Sequence, residues 1–268
     1  QESETQNITV SGGALSNEYE IECLDYEENR HFFLSQYFRD NYENALKDLP
    51  LVTSDININK IEVWVTNTTT NFENCRNIVA FTDLGEGKDE WIYNDAKVQS
   101  SGYGAQYPDN TSNTLLSNMD ENSIRSLNSV TSYLTSQGYT SGKDFEKLQK
   151  ARKLSPSEYV LNSKLGFITL NISLNANQTL AVAYQYTVIG QDKVYQVGEF
   201  SDQNITDPNV LVTKLLKSTT INTKMPMWDL MMKNVYNIRA YQVSQNDFIM
   251  NILYLGNNNG VATGYFAD

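Results

Sequence analysis

The stretch from Leu180 to Phe200 constrains the fold more strongly than any other part of this sequence. Its first run, residues 180–189, alternates large apolar residues with small or polar ones, as a strand with two unlike faces does. A second run of β-type residues follows at 193–200, after the short turn Gly190-Gln191-Asp192. This spacing predicts an antiparallel β-hairpin with one face considerably more apolar than the other.

Other patterns along the chain predict both helices and strands. Leu34, Phe38, Tyr42 and Leu49 belong to an apolar stripe with helical spacing, and Pro50 follows where a helix would end. Runs of β-branched and aromatic residues predict further strands, and apolar spacings of three and four residues predict further helices. The strands expected are 18–24, 58–66 and 78–84, the last two as neighbours, and the helical segments are 113–150, 207–216 and 223–238.

This order of elements predicts the fold class and its division. Strands and helices are interspersed and the strands look hairpin-linked, which indicates an α+β fold with an antiparallel, β-rich core and several helices. We expect a polar lead-in at residues 1–17, a first α+β subdomain at 18–140 and a second, related one at 141–268. One continuous domain is the alternative, because the length of 268 residues fits either arrangement.

The charge balance argues against nucleic acid as a partner, and the hydropathy pattern argues against a membrane-spanning helix. The chain has 20 basic and 32 acidic residues, a formal net charge of −12, and its basic residues are scattered. An acidic surface repels phosphate backbones, so we expect no binding to nucleic acid. No apolar run approaches the roughly 20 residues that a membrane-spanning helix needs, so we expect no transmembrane helix in this segment.

Residues able to carry catalysis or to hold a metal ion are few. His31 is the single histidine, so a Ser-His-Asp triad or a histidine-containing zinc site would depend on it alone. Cys23 and Cys75 are too far apart for a C-x-x-C pair, and they either form a disulfide or remain two thiols. We therefore predict a non-enzyme with no cofactor and no metal site. The densest acidic cluster lacks calcium-loop spacing and is expected to be solvated surface; it contains Asp83, Glu86, Asp89 and Glu90.

The segment from Asn94 to Thr114 is rich in Gly, Ser, Asn and Tyr and has no hydrophobic period. We expect it to form a long exposed loop, which makes it the best internal candidate for a surface that faces a partner. Exposed aromatic side chains can also stack on sugars, so a carbohydrate- or surface-ligand-binding module is the alternative function. The partner-facing candidates, whose exposure distinguishes the two, are Trp64, Trp91, Tyr93, Tyr103 and Tyr107.

Nine phrases in a fixed order carry a resemblance to a known family. They are HFFLSQYFRDNYENAL (31–46), IEVWVTN (61–67), RNIVAFTDLGE (76–86), ARKLSPSEY (151–159), LGFITLN (165–171), LAVAYQYT (180–187), KVYQVGEF (193–200), LLKSTTINTKMPMWDLMMKNVY (215–236) and AYQV (240–243). With these phrases the chain resembles the SprA family of gliding-motility and secretion proteins of Bacteroidetes, specifically its soluble, repeated domain of N-terminal type.

The resemblance implies a function in protein export. Members of the family are far longer than this chain and form a large outer-membrane β-barrel, through which folded cargo leaves the cell by type IX secretion. It implies that this chain is a soluble, non-catalytic structural or gating segment, located outside the cytoplasm on either the periplasmic or the cell-surface side. The implied partners are the remainder of the SprA-type barrel, other type IX secretion components and secreted cargo. The resemblance supplies no catalytic residue.

Overall fold

The structure is a computed structural model, and its described residues form two compact units. The central unit comprises residues 26–235, and the terminal unit combines residues 1–25 with 236–268. Strands predominate over helices, which confirms the predicted α+β class with a β-rich core. The described residues are 7–11, 14–102, 107–203, 205–241, 243–244, 246, 248–255 and 262–264.

The terminal unit contains two short antiparallel hairpins. One consists of β1 (Asn7–Ser11) and β2 (Ala14–Glu18). The other consists of β12 (Tyr254–Leu255) and β13 (Ala262–Thr263). The strand expected at 18–24 is wrong, because the strand that pairs in the first hairpin ends where the expected one begins.

The same unit carries a dense group of exposed apolar side chains. Tyr241 is 95% exposed and Ile249 is 83% exposed. These side chains follow one another closely in the sequence, between residues 241 and 254. The exposed large hydrophobic residues here are Tyr241, Val243, Phe248, Ile249, Met250, Ile252, Leu253 and Tyr254.

The central unit contains the predicted amphipathic helix and most of the strands. The helix spans Gln36–Leu46 and ends before Pro50, so the helix expected from the apolar stripe is confirmed. Its Phe38 and Ala45 are buried. The elements of this unit are β3 (His31–Phe33), α1 (Gln36–Leu46), β4 (Ile56–Val65), β5 (Cys75–Phe81), a 3₁₀ helix (Asp89–Trp91), α2 (Glu121–Arg125), α3 (Val130–Ser136), β6 (Phe145–Lys153), β7 (Tyr159–Asn162), β8 (Phe167–Leu170), β9 (Leu180–Val188), β10 (Val194–Val197), β11 (Leu211–Lys217) and a second 3₁₀ helix (Pro226–Leu230).

The main sheet closes on itself. Its strand order is β10-β9-β11-β5-β6-β4, and β4 pairs in turn with β9, so that β9, β11, β5, β6 and β4 form a ring. The predicted hairpin is confirmed, because β9 and β10 pair antiparallel with Val194 opposite Thr187. Strands from both sides of residue 140 belong to this one ring. A separate sheet of order β3-β8-β7 lies in the same unit.

Strand β11 replaces the short helix expected at 207–216. Leu211 and Leu215 lie on one face of this strand, Val212 and Leu216 lie on the other, and all four are buried. An apolar run that is buried on both faces has no alternation, so its pattern does not separate strand from helix. The strand pairs parallel with β5, which adds one parallel pair to a core that was expected to be antiparallel.

Two further expectations are wrong because of the position of strand β6. It lies between β4 and β5, so the strands expected at 58–66 and 78–84 are not neighbours. It also occupies the end of the segment 113–150, where only the short helices α2 and α3 form. Gly138, with a φ of 88°, follows α3 in the left-handed conformation that ends helices. The helix expected at 223–238 is likewise limited to the second 3₁₀ helix.

The two faces of the ring build two apolar cores. The smaller cluster takes side chains from all five ring strands, with Met225 and Met227 added from outside, so it fills the interior of the ring. The larger cluster joins the outer face of the ring to α1, α3 and the sheet β3-β8-β7. Along β4 the side chains alternate accordingly, since Val63 and Val65 belong to the outer core and Trp64 to the inner one.

Candidate functional site

The candidate site is the long loop that leaves the end of β5. Two acidic residues at its start, Asp83 and Glu86, are only 3% and 1% exposed. The expectation that this acidic cluster is solvated surface is therefore wrong for these two residues. It holds for Asp89 and Glu90, which are exposed. Buried carboxylates need hydrogen-bond or charge partners, and both of them have such partners.

Glu86 is paired with a lysine from the ring. The Lys214 ammonium lies 2.6 Å from Glu86 Oε1, both side chains are 1% exposed, and the same ammonium donates to the Thr82 carbonyl. The Gln36 backbone N–H, at the start of α1, also faces the Glu86 carboxylate at 3.3 Å, where the helix dipole favours negative charge. Burial raises the pKa of Glu86 above its ordinary value, although the charge of Lys214 opposes that shift.

Asp83 binds the backbone of the loop about ten residues further along the chain. Its two carboxylate oxygens accept the backbone N–H groups of Tyr93 (2.7 Å) and Asn94 (3.0 Å). Burial raises the pKa of Asp83, and these two hydrogen bonds act against the rise. Asn113 closes the returning end of the loop, because its side-chain amide donates to the carbonyls of Asp83 (2.7 Å) and Glu86 (2.8 Å). Both ends of the loop are thus fixed to the ring by buried polar contacts.

A shallow cleft of about 450 Å³ lies on the fixed part of this loop. Ile92 and Val98 lie beneath it, but they are 6% and 1% exposed and belong to the outer core, so they present little surface to the cleft. Its remaining lining is polar and includes two carboxylates. The lining residues are Asp89, Ile92, Asp95, Val98, Gln99 and Ser100.

The five partner-facing candidates lie in different environments. Trp64 is fully buried inside the ring, and Trp91 is 5% exposed, with its indole N–H donating to Asp40 Oδ2 at 2.8 Å. Tyr93 and Tyr107 are half-buried at the loop. Tyr103 lies outside the described residues.

These positions do not favour the alternative function. Tyr107 packs on Tyr37 and Tyr195, with ring centroids 5.5 and 5.3 Å apart, and this contact joins it to the aromatic side of the core. Trp64 and Trp91, the two tryptophans among the candidates, are buried. The candidates within the described part of the chain therefore do not form a solvent-facing aromatic platform for sugars.

The single histidine lies in a chain of three polar side chains. One ring nitrogen of His31 is 2.8 Å from Glu27 Oε2, and the other is 2.9 Å from Thr169 Oγ1. Burial alone would raise the pKa of Glu27, but the hydrogen bond with His31 and the charge of Arg30 bring it below its ordinary value. Because both His31 nitrogens are engaged and the ring is 7% exposed, these contacts join the segment before β3 to strand β8.

A serine with a neighbouring lysine occurs at one end of the ring. Lys153 Nζ is 3.1 Å from Ser201 Oγ, as a nucleophile and a base would be. The ammonium is also 2.7 Å from Glu62 Oε1, which accepts the Ser201 hydroxyl at 2.7 Å as well. Lys153 and the Ser201 hydroxyl thus share one buried carboxylate, and these contacts tie the turn at Ser201 to β4 and β6.

Several further observations bear on binding. Cys23 and Cys75 are both free thiols. Across the residues that the structure describes, no group of three or more His, Cys, Asp or Glu side chains is placed to hold a metal ion. Over the same residues, no helix is long and apolar enough to cross a membrane.

Together these features define a β-rich domain with a firmly anchored surface loop. Its sequence matches the family model SprA_N, described as motility related/secretion protein, over residues 1–189. Because this match covers well over half of the chain, the protein belongs to the SprA N-terminal domain family. No curated protein matches the chain.

Proposed function

We propose that this chain is a non-catalytic structural and gating domain of an outer-membrane translocon that serves type IX secretion and gliding motility in Bacteroidetes. The single observation that carries the proposal is the family match over residues 1–189, a family of motility and secretion. The ordered phrases between residues 31 and 243 extend the same resemblance beyond the matched range.

The arrangement of the polar groups supports a contact function over catalysis. The buried pair of Glu86 and Lys214 and the hydrogen bonds of Asp83 and Asn113 hold both ends of a surface loop in place. A loop with fixed ends loses little conformational entropy when a partner binds it, which favours recognition. The proposed partner-facing surface is this loop, with Tyr93, Tyr103 and Tyr107 as its candidate contact residues.

The proposed location is extracytoplasmic and associated with the outer membrane. We propose the remainder of the SprA-type protein as the first partner, and the exposed apolar stretch at 241–254 is suited to being covered by it. Other type IX secretion components and secreted cargo are the further proposed partners. A surface of net charge −12 stays soluble and repels acidic cargo, which suits a domain that cargo must pass.

The experiment is a capture from outer-membrane extract of a Bacteroidetes cell, with the 268-residue chain as bait and mass spectrometry as the readout. Enrichment of type IX secretion components or their cargo is expected. The variant Tyr103→Ser should reduce that enrichment, and Tyr19→Ser, which changes a 45% exposed tyrosine outside both proposed partner surfaces, serves as the matched control. Capture of polysaccharide without secretion proteins would replace this proposal with the carbohydrate-binding alternative.

A further inference from the structure

We propose that Lys214 and Glu86 become joined covalently after the chain has folded, through an amide bond between the lysine Nζ and the glutamate side-chain carboxyl. The ion pair described above is the state from which this bond forms. The bond then fastens the loop after β5 to strand β11. The proposal rests on the geometry and the burial of this pair and does not depend on the proposed secretion function.

The pair differs in burial from the other lysine–carboxylate pairs. Lys214 and Glu86 are each 1% exposed, and among the described residues this is the one such pair in which both side chains are nearly inaccessible. Lys60 approaches Asp202 almost as closely, at 2.7 Å, but these side chains are 38% and 63% exposed. Water keeps the exposed ions solvated, whereas the buried pair lacks this competing solvation.

The reacting groups are held next to each other. Lys214 Nζ lies 2.6 Å from Glu86 Oε1, the oxygen bonded to the carbon that the nitrogen attacks. The same ammonium donates a second hydrogen bond to the Thr82 carbonyl, which fixes its position. Two groups held in this way react within one structure instead of by a bimolecular encounter, and in well-oriented cases their effective concentration reaches about 10⁵–10⁸ M.

Burial favours the neutral forms that react. Amide formation needs a neutral amine as the nucleophile and a neutral carboxylic acid as the electrophile, and an apolar interior penalises their charged forms. Burial raises the pKa of Glu86; the charge of Lys214 opposes this rise, and the charge of Asp83 adds to it. Transfer of one proton from Lys214 Nζ to the carboxylate along their hydrogen bond produces both neutral groups together.

The reaction is a condensation that needs no further reactant. The lone pair of Lys214 Nζ attacks Glu86 Cδ and forms the new C–N bond, while the electron pair of the C=O bond moves onto oxygen. A proton then passes from the nitrogen to the departing hydroxyl, the C–O bond breaks, and one water molecule leaves. Nothing is oxidised or reduced, because an ammonium and a carboxylate have become an amide and water.

The start of helix α1 stabilises the negative charge that develops on the carboxyl oxygens. The Gln36 backbone N–H faces both Glu86 oxygens at 3.3 Å, and a helix N-terminus favours negative charge. A donor fixed in this position can stabilise the oxyanion of the intermediate without rearrangement. The Gln36 side-chain amide donates to the Pro226 carbonyl at 2.6 Å, which secures the start of the helix.

The test is the intact mass of the purified 268-residue chain, measured under denaturing conditions at intervals from hours to days after purification. Amide formation removes one water molecule and lowers the mass by about 18 Da. We expect the fraction of chains with this deficit to rise with time until it predominates. Peptide mapping should then find the segment that contains Glu86 joined to the segment that contains Lys214, which separates this bond from other losses of water.

Two replacements of Lys214 separate the covalent bond from the ion pair. Lys214→Arg keeps a cation but offers no neutral amine, because a guanidinium does not lose its proton, and Lys214→Met removes the nitrogen. Both variants should stay at their full mass. Lys60→Met is the matched control, since it removes the lysine of the exposed pair with Asp202 and should keep the deficit.

A parent chain that is folded by circular dichroism and remains at its full mass for days would overturn the proposal. A deficit that persists in Lys214→Arg, or that maps to another pair of residues, would overturn it as well. The measurement on the parent chain is decisive by itself, so the test does not require that either Lys214 variant folds. Its outcome is also separate from that of the capture experiment, and either proposal can fail while the other stands.

Discussion

Replacement of Lys214 by methionine tests whether the loop is anchored by its buried ion pair. At the observed 2.6 Å, the gross attraction between two unit charges is about 6 kcal/mol for an effective dielectric constant of about 20. Relaxation and partial protonation of Glu86 reduce the net loss, and breaking a buried pair by removing one partner typically costs about 3–5 kcal/mol. Loss of this size is a large part of the total stability of a domain, about 5–15 kcal/mol.

The assay is equilibrium urea unfolding followed by the fluorescence of the buried Trp64 and Trp91. We expect Lys214→Met to lose about 3–5 kcal/mol of unfolding free energy, and the double variant Glu86→Gln/Lys214→Met to lose less than Lys214→Met alone, because it leaves no unpaired charge. The control Lys164→Met changes an exposed lysine and should stay within about 0.5 kcal/mol of the parent chain.

The pH dependence gives the same test a second readout. A carboxyl whose pKa is raised on folding binds more protons in the folded than in the unfolded state, so its contribution to stability falls as pH rises. Without Lys214, Glu86 loses the charge that opposes this shift. The deficit of Lys214→Met should therefore shrink on acidification. A loss below about 1 kcal/mol, or a double variant no more stable than Lys214→Met, would refute the anchoring argument.

Two further predictions concern other parts of the central unit. Gly166→Ala should lower the unfolding free energy of the chain by about 2–5 kcal/mol, because the φ of Gly166 is +65° and a Cβ there would lie 2.0 Å from Phe38 Cδ1. Gly190→Ala is the control, since Gly190 has a similar φ of +81° but lies in open space. It should lower the unfolding free energy by only about 1 kcal/mol in the same urea assay. Glu27→Gln should cost on the order of 1 kcal/mol near neutral pH. Since the contacts with His31 and Arg30 lower the pKa of Glu27, this difference should disappear as pH falls below the ordinary glutamate range and through the lowered pKa, and a constant difference would contradict the assignment.

Local periodicity was sufficient to predict elements that have one buried and one exposed face. The helix α1 and the β9–β10 hairpin follow from spacing alone, since each must bury one set of side chains. It was insufficient for β11, whose two faces are both buried. It also failed for β6, because residues on its exposed outer face, such as Lys147 and Gln149, do not resemble those of a typical strand.

The burial of the charged residues at the candidate site could not be predicted from the local sequence either. In the sequence, Asp83 and Glu86 look like exposed surface residues, because Asp83 pairs with backbone N–H groups and the partner of Glu86, Lys214, is 128 positions away. One signal was present: Lys214 stands alone within the apolar run from Leu211 to Leu216, where a charged side chain must have a partner. Asn113 gave no such signal, since the loop around it is rich in similar polar residues.

The parallel pairing of β5 with β11 also determines when this domain can assemble during synthesis. Residue 78 lies opposite residue 211, so the ring closes only after almost the whole central unit has left the ribosome. A fragment that stops at residue 189, where the family match ends, lacks β11 and leaves the edges of β5 and β9 without a partner. Open strand edges promote association, so fragments meant for expression should extend through Lys217, and a chain released before that point remains a substrate for chaperones.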